Sequence, residues 1–142
     1  MDETLAKAFF AKVVQSLGFL VSEHGFSEPR FKIDDRIHFA YASFERSHLA
    51  LECSCDQRDE HVDCHVVRLG VPENVDALER KDRPWREGVY QWVKRHGGRD
   101  PLFSRPQDLS FPERIPIKLD DYAEMLKRYG GPILADDPTA LD

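Results

Sequence analysis

Residues 49–66 constrain the fold of this chain more than any other stretch. Leu49, Leu51, Cys53 and Cys55 alternate with Ala50, Glu52 and Ser54, and beyond a polar stretch Val62, Cys64 and Val66 alternate with His61, Asp63 and His65. A period of two marks strands with one buried face. The polar stretch, Gln57-Arg58-Asp59-Glu60, is the natural hairpin loop. It places Asp56 opposite His61, Cys55 opposite Val62, Cys53 opposite Cys64 and Glu52 opposite His65. A slip of one residue would carry Asp63 into the core, so the register is strongly specified. Upstream, Phe31 and Ile33 form a short run, and Ile37, Phe39 and Tyr41 alternate with His38, Ala40 and Ala42. The pattern predicts an antiparallel meander of three or four strands. It assigns His38, Ala40, Ala42, His48, Ala50, Ser54, His61 and His65 to a flat polar face.

Helical spacing flanks the meander. Over residues 4–21, Leu5, Ala8, Phe9, Val13, Leu17 and Leu20 recur every three or four positions, with Asp2 and Glu3 at the positive end of the dipole. His24-Gly25-Phe26 closes that helix, Gly25 accepting a left-handed conformation and Phe26 folding back into the core. Residues 74–80 suggest one or two helical turns. Residues 85–96 read as a helix with Val89, Trp92, Val93 and His96 on one side and Gly97-Gly98 as its stop. Residues 100–116 contain Pro101, Pro106, Pro112 and Pro116, which predicts an irregular connection. Residues 119–129 return to a helix, with Asp120 and Asp121 in its first turn and Lys127 and Arg128 in its last; Gly130-Gly131-Pro132 ends it, and Ile133-Leu134 starts a short terminal helix. The expectation is one α+β domain spanning residues 1–142: N-terminal helix, antiparallel meander, C-terminal helices.

Composition narrows the function classes. The 142 residues carry 20 Lys+Arg against 26 Asp+Glu, a formal charge of −6. A chain of this length removes roughly 68% of its unfolded surface from water, so it needs no disulfide or metal staple. An acidic balance argues against direct nucleic-acid binding, which requires a clustered cationic face. Uninterrupted apolar runs reach four residues, such as residues 8–11, and Asp2, Glu3, Lys7 and Lys12 interrupt the N-terminal stretch. Neither a membrane span nor a secretory leader is therefore expected, and the chain is assigned to the cytosol.

The densest group of reactive side chains is Cys53 and Cys55 with His61, Asp63, Cys64 and His65. Three thiols and an imidazole would suit zinc. Residues two apart on a strand sit about 6.6 Å apart along it, however, whereas zinc thiolates come from knuckle turns. The cysteines share a face with Leu51 and Val66, and free Cys packs as a small hydrophobe. A second metal reading uses the opposite face, where His61, Asp63 and His65 project in a row with Glu52 opposite His65; two imidazoles and a carboxylate suit iron, manganese or zinc. Its competitor is a solvated face with cross-strand acid–imidazole pairs. The chain has no Gly-x-Ser-x-Gly, phosphate loop or His-Glu-x-x-His, and Asp34-Asp35 and Asp136-Asp137 read as solvated turn ends without a role. Neither a catalytic residue nor a cofactor is assigned. Glu52, Asp56, Asp59, Glu60 and Asp63 remain as an acidic hairpin surface that would attract a basic partner or simply keep the hairpin soluble.

Three segments carry a family resemblance: residues 19–26 (FLVSEHGF), residues 49–70 (LALECSCDQRDEHVDCHVVRLG) and residues 119–137 (LDDYAEMLKRYGGPILADD). Together they resemble small α+β bacterial proteins that include immunity proteins of polymorphic or contact-dependent toxin systems. The resemblance implies a stoichiometric inhibitor that covers its toxin and needs no catalysis of its own. Many such toxins are nucleases with basic clefts, so the implied partner is a cognate protein toxin met through Glu52, Asp56, Asp59, Glu60 and Asp63. The alternatives are a metal-dependent enzyme or sensor built on His61, Asp63 and His65, and a subunit of a larger assembly.

Overall fold

The computed structural model describes residues 1–70, 85–98 and 108–142. Its elements are α1 (Glu3–Leu17), α2 (Phe19–His24), β1 (Arg30–Asp34), β2 (Phe39–Glu45), β3 (Leu49–Asp56), β4 (His61–Arg68), β5 (Arg86–Gly88), α3 (Val89–Arg95), α4 (Phe111–Tyr129) and α5 (Gly131–Leu134). The strands form one antiparallel sheet in the order β1-β2-β3-β4-β5. The α+β expectation holds. The predicted turns at residues 74–80 and the prolines Pro101 and Pro106 lie outside the described residues.

The β3–β4 register is the one that the alternation requires: Cys53 faces Cys64, Glu52 faces His65, and Asp56 faces His61. Leu51, Cys53, Cys55, Val62, Cys64 and Val66 turn inward and are buried. There they meet Phe9, Val13 and Leu17 of α1, Val89, Trp92 and Val93 of α3, and Ile115, Leu119 and Leu126 of α4 in a single hydrophobic core. The Cys53 thiol donates to Cys64 Sγ at 3.3 Å. That hydrogen bond, together with burial, holds the Cys64 thiol well above its ordinary pKa, and burial pushes Cys55 up to about 12. All three cysteines are buried, out of reach of a reagent in solution, and should be inert in the folded protein. We expect a thiol reagent to modify them only as fast as the fold opens, with labelling accelerating sharply through the urea transition. Immediate modification of native protein would contradict the packing.

The N-terminal segment begins at Asp2, whose carboxylate accepts from Leu5 N at 2.9 Å. It divides at Gly18 into α1 and α2, where the sequence predicts one helix. Gly25 takes φ 73° and Phe26 N donates back to Leu20 O at 3.0 Å, with Phe26 buried as expected. Taken together, Glu3–His24 spans 22 residues and holds an 18-residue window of mean hydropathy 1.4, long and apolar enough by length and composition alone to cross a membrane. Short apolar runs did not signal this window, because Lys7 and Lys12 break the runs while the apolar residues around them keep the window average high. Leu5, Phe9, Val13, Leu17 and Leu20 face the core.

Three further expectations are corrected. In β2 the alternation has the opposite phase: Ala40, Ala42 and Phe44 point inward, opposite Cys55, Cys53 and Leu51, and Phe39 and Tyr41 point outward. Small residues under α1 let its backbone approach the sheet, so size complementarity overrides the preference for burying the larger side chains. Arg86–Gly88 is a strand pairing with residues 65–67 rather than a first helical turn, which makes the sheet five-stranded; three residues are too few to show an alternation. The region expected to be irregular contains the start of α4. Ser110 caps that helix, accepting from Glu113 N while Glu113 Oε1 accepts from Ser110 N, a reciprocal pair that Pro112 in the first turn does not disturb. Pro116 lies inside the helix, where it forgoes one backbone bond. Ser110→Ala should cost about 1 kcal/mol, read as a lower denaturation midpoint.

Candidate functional site

The inner face of the sheet is covered by helices, so the outer face and its hairpin ends carry whatever the protein presents. Across that face run Lys32 and Asp34 of β1, Phe39, Tyr41 and Ser43 of β2, Glu52, Ser54 and Asp56 of β3, and His61, Asp63 and His65 of β4. Phe39 and Tyr41 stack with ring centroids 5.5 Å apart and planes 18° from parallel. Asp34 and Asp56 flank Phe39 from the two neighbouring strands. Burial, then the Asp34 and Glu52 carboxylates, raise the Tyr41 pKa, so its hydroxyl stays protonated and able to donate. A shallow pocket of about 350 Å3 beside it is lined by Arg30, Lys32, Asp34, Tyr41, Ser43 and Glu52.

The five acidic residues singled out from the sequence do not act as one group. Asp56 and Asp59 lie at the β3–β4 turn, where Asp56 Oδ1 accepts from Asp59 N at 3.1 Å. Glu60, with φ 51°, completes the turn and pairs with Arg114 of α4 at 3.2 Å. Glu52 sits further along β3 and pairs with Arg86 at 3.1 Å. Asp63 accepts from Tyr122 Oη at 3.3 Å and pairs with His61 Nε2 at 3.0 Å. The turn beside them adds Asp34 and Asp35, which sequence reasoning left without a role. Gln57 N donates to His38 O at 3.0 Å and draws the β1–β2 and β3–β4 turns together. The strand pairing carried that signal, since a β2 strand starting at Phe39 must bring its preceding turn next to Asp56.

The histidines do not form a common platform. His38 and His48 sit in turns at opposite ends of β2, and Ala40 and Ala42 point away from His61 and His65. His61, Asp63 and His65 line a cleft of about 450 Å3 with Tyr90, Lys118 and Tyr122, opening where β5 stops alongside β4. Among the described residues, no three His, Cys, Asp or Glu side chains converge closely enough to hold a metal. The cysteines lie on the opposite face of the sheet from His61 and His65, which separates the thiols from the imidazoles. Burial, reinforced by the Arg86 charge, lowers the His65 pKa, and its Nδ1 is buried without a hydrogen-bond partner. The sign follows: the unfolded chain binds a proton near pH 6.5 that the folded chain resists, so stability is retained above that pH and lost as pH falls below it. Wild type should lose more stability between pH 7.5 and 5.5 than His65→Gln, measured by urea unfolding at each pH; equal losses would place the acid sensitivity elsewhere.

No family model, curated protein or solved structure matches this chain.

Proposed function

We propose that this protein is a stoichiometric binder of a basic partner protein, an immunity protein that neutralises a cognate toxin by covering it, and that it works in the cytosol. The observation that carries the reading is the stacked Phe39 and Tyr41 pair set between Asp34 and Asp56 on the sheet face opposite the one that packs on α1, α3 and α4, beside the acidic turn residues Asp59 and Glu60. Aromatic side chains desolvated at the centre of a contact supply much of the affinity of known interfaces, and surrounding carboxylates steer a cationic partner toward them. Glu52 and Asp63, held by Arg86 and by His61 and Tyr122, fix the geometry of the face more than they attract charge. Asp56, Asp59 and Glu60 therefore act mainly on association and Tyr41 mainly on dissociation.

The test is binding to the product of the adjacent gene, followed in real time. Reversing Asp56, Asp59 and Glu60 together should slow association about tenfold or more at low salt, and Tyr41→Ala should accelerate dissociation about tenfold or more. Unchanged kinetics in both variants would remove this surface from the proposal. Elemental analysis separates it from the metal-dependent alternative: near-stoichiometric metal in purified protein, lost in His61→Ala, would establish that alternative instead.

A further inference from the structure

The exposed large apolar side chains among the described residues are Val14, Phe31, Ile33, Ile37 and Tyr129, and all but Tyr129 belong to α1, β1 or the turn after β1. Phe10 of α1 packs on Phe31 with ring centroids 4.6 Å apart, and Val14 lies one helical turn beyond Phe10, so the apolar residues form a strip along the outer edge of the sheet. β1 is the edge strand. Ser27 N donates to Glu45 O at 2.8 Å and Glu45 N to Ser27 Oγ at 3.0 Å, so the backbone of Glu45 faces the β1 side. By the two-residue period, Ser43, Tyr41 and Phe39 exchange their bonds with Arg30, Lys32 and Asp34. The N–H and C=O groups of Phe31 and Ile33 therefore point away from the sheet, and among the described residues nothing pairs with them.

We infer that this edge is a homodimer interface in which β1 pairs antiparallel with β1 of a second copy, on a two-fold axis through Lys32. The sequence of the strand, Arg30-Phe31-Lys32-Ile33-Asp34, is complementary to itself in that register. Arg30 falls opposite Asp34 of the other copy, and Phe31 opposite its Ile33, each pair occurring twice. All the outward backbone groups of Phe31 and Ile33 then find partners, and one continuous sheet runs through both subunits. An isologous contact requires such self-complementarity. The helices of both copies lie on the same side, so the Phe10 and Val14 strips meet beside the axis. The unfavourable element is the Lys32 pair on the axis, where like charges oppose each other on the solvent side. An edge strand left with free hydrogen-bonding groups and apolar side chains otherwise risks open-ended association, which closure by a two-fold prevents.

The test is the mass of purified protein by light scattering over a dilution series, together with cross-linking at the axis. Wild type should approach twice the monomer mass, Arg30→Asp should weaken dimerisation about tenfold, and Lys32→Thr should strengthen it. A cysteine at position 32 would oppose its own copy across a non-hydrogen-bonded pair, about 4.5 Å between Cα atoms and within disulfide range. Lys32→Cys should therefore oxidise to a covalent dimer, whereas Ser47→Cys, in the β2–β3 turn, should not. A wild-type monomer at every concentration, or equal cross-linking by both variants, would overturn the inference. The three native cysteines are buried and leave the readout clean.

Discussion

Asp136→Ala is expected to destabilise the protein by about 3 kcal/mol and to lower its melting temperature by roughly 10 °C. Asp136 is buried, and its carboxylate accepts from His48 N at 3.0 Å and from Leu49 N at 2.9 Å, clasping the segment after α5 to the β2–β3 turn. Alanine leaves the buried Leu49 N–H without a partner, and a buried orphan donor costs its full desolvation. The position also has φ 57°, a left-handed conformation that alanine adopts with strain and asparagine tolerates. Asp136→Asn keeps one acceptor oxygen and the backbone conformation, so it should recover more than half of the loss. Thermal and urea unfolding of the three proteins decide the matter; equal stabilities would mean that the clasp contributes nothing.

Trp92→Ala should cost about 4 kcal/mol, enough to threaten folding at 37 °C. Trp92 is 1% exposed, stacks on His96 with ring centroids 4.0 Å apart, and donates from Nε1 to Ala140 O at 2.8 Å. Trp92→Phe retains most of the apolar contact but leaves the Ala140 carbonyl unpaired, for a loss of about 1–2 kcal/mol. Because Asp136 and Trp92 hold the same C-terminal stretch from two sides, removing one loosens the grip of the other. The Asp136→Ala/Trp92→Phe double variant should therefore lose less than the sum of the two single losses. Strict additivity would show that the two contacts act on independent parts of the fold.

The β3–β4 hairpin was fully legible in the sequence because a loop of four polar residues between two alternating runs admits one register that keeps Asp63 out of the core. The phase of β2 was not legible. Ile37, Phe39 and Tyr41 are the larger apolar set, and only the approach of α1 makes Ala40 and Ala42 the buried one. That reversal hid the candidate site, since it is what places Phe39 and Tyr41 on the outer face between Asp34 and Asp56. The same limit applies to Asp136. Two adjacent carboxylates near a chain turn look solvated, and the backbone donors that Asp136 serves come from residues 48 and 49, far away in sequence. The start of α4 was readable in principle: Ser110 three residues ahead of Glu113 is a capping signature, but the prolines around it argue more loudly for a break. Long-range contacts, rather than local propensity, decided each of these points.

The proposed inhibition by occlusion, without chemistry of the protein's own, is tested most directly by titration. Purified protein added to the product of the adjacent gene, with the toxic activity assayed at each addition, should abolish that activity linearly and completely at one binding unit per toxin. Toxic activity that persists in the presence of excess protein, or a substrate that the protein itself consumes in the absence of the toxin, would contradict the account.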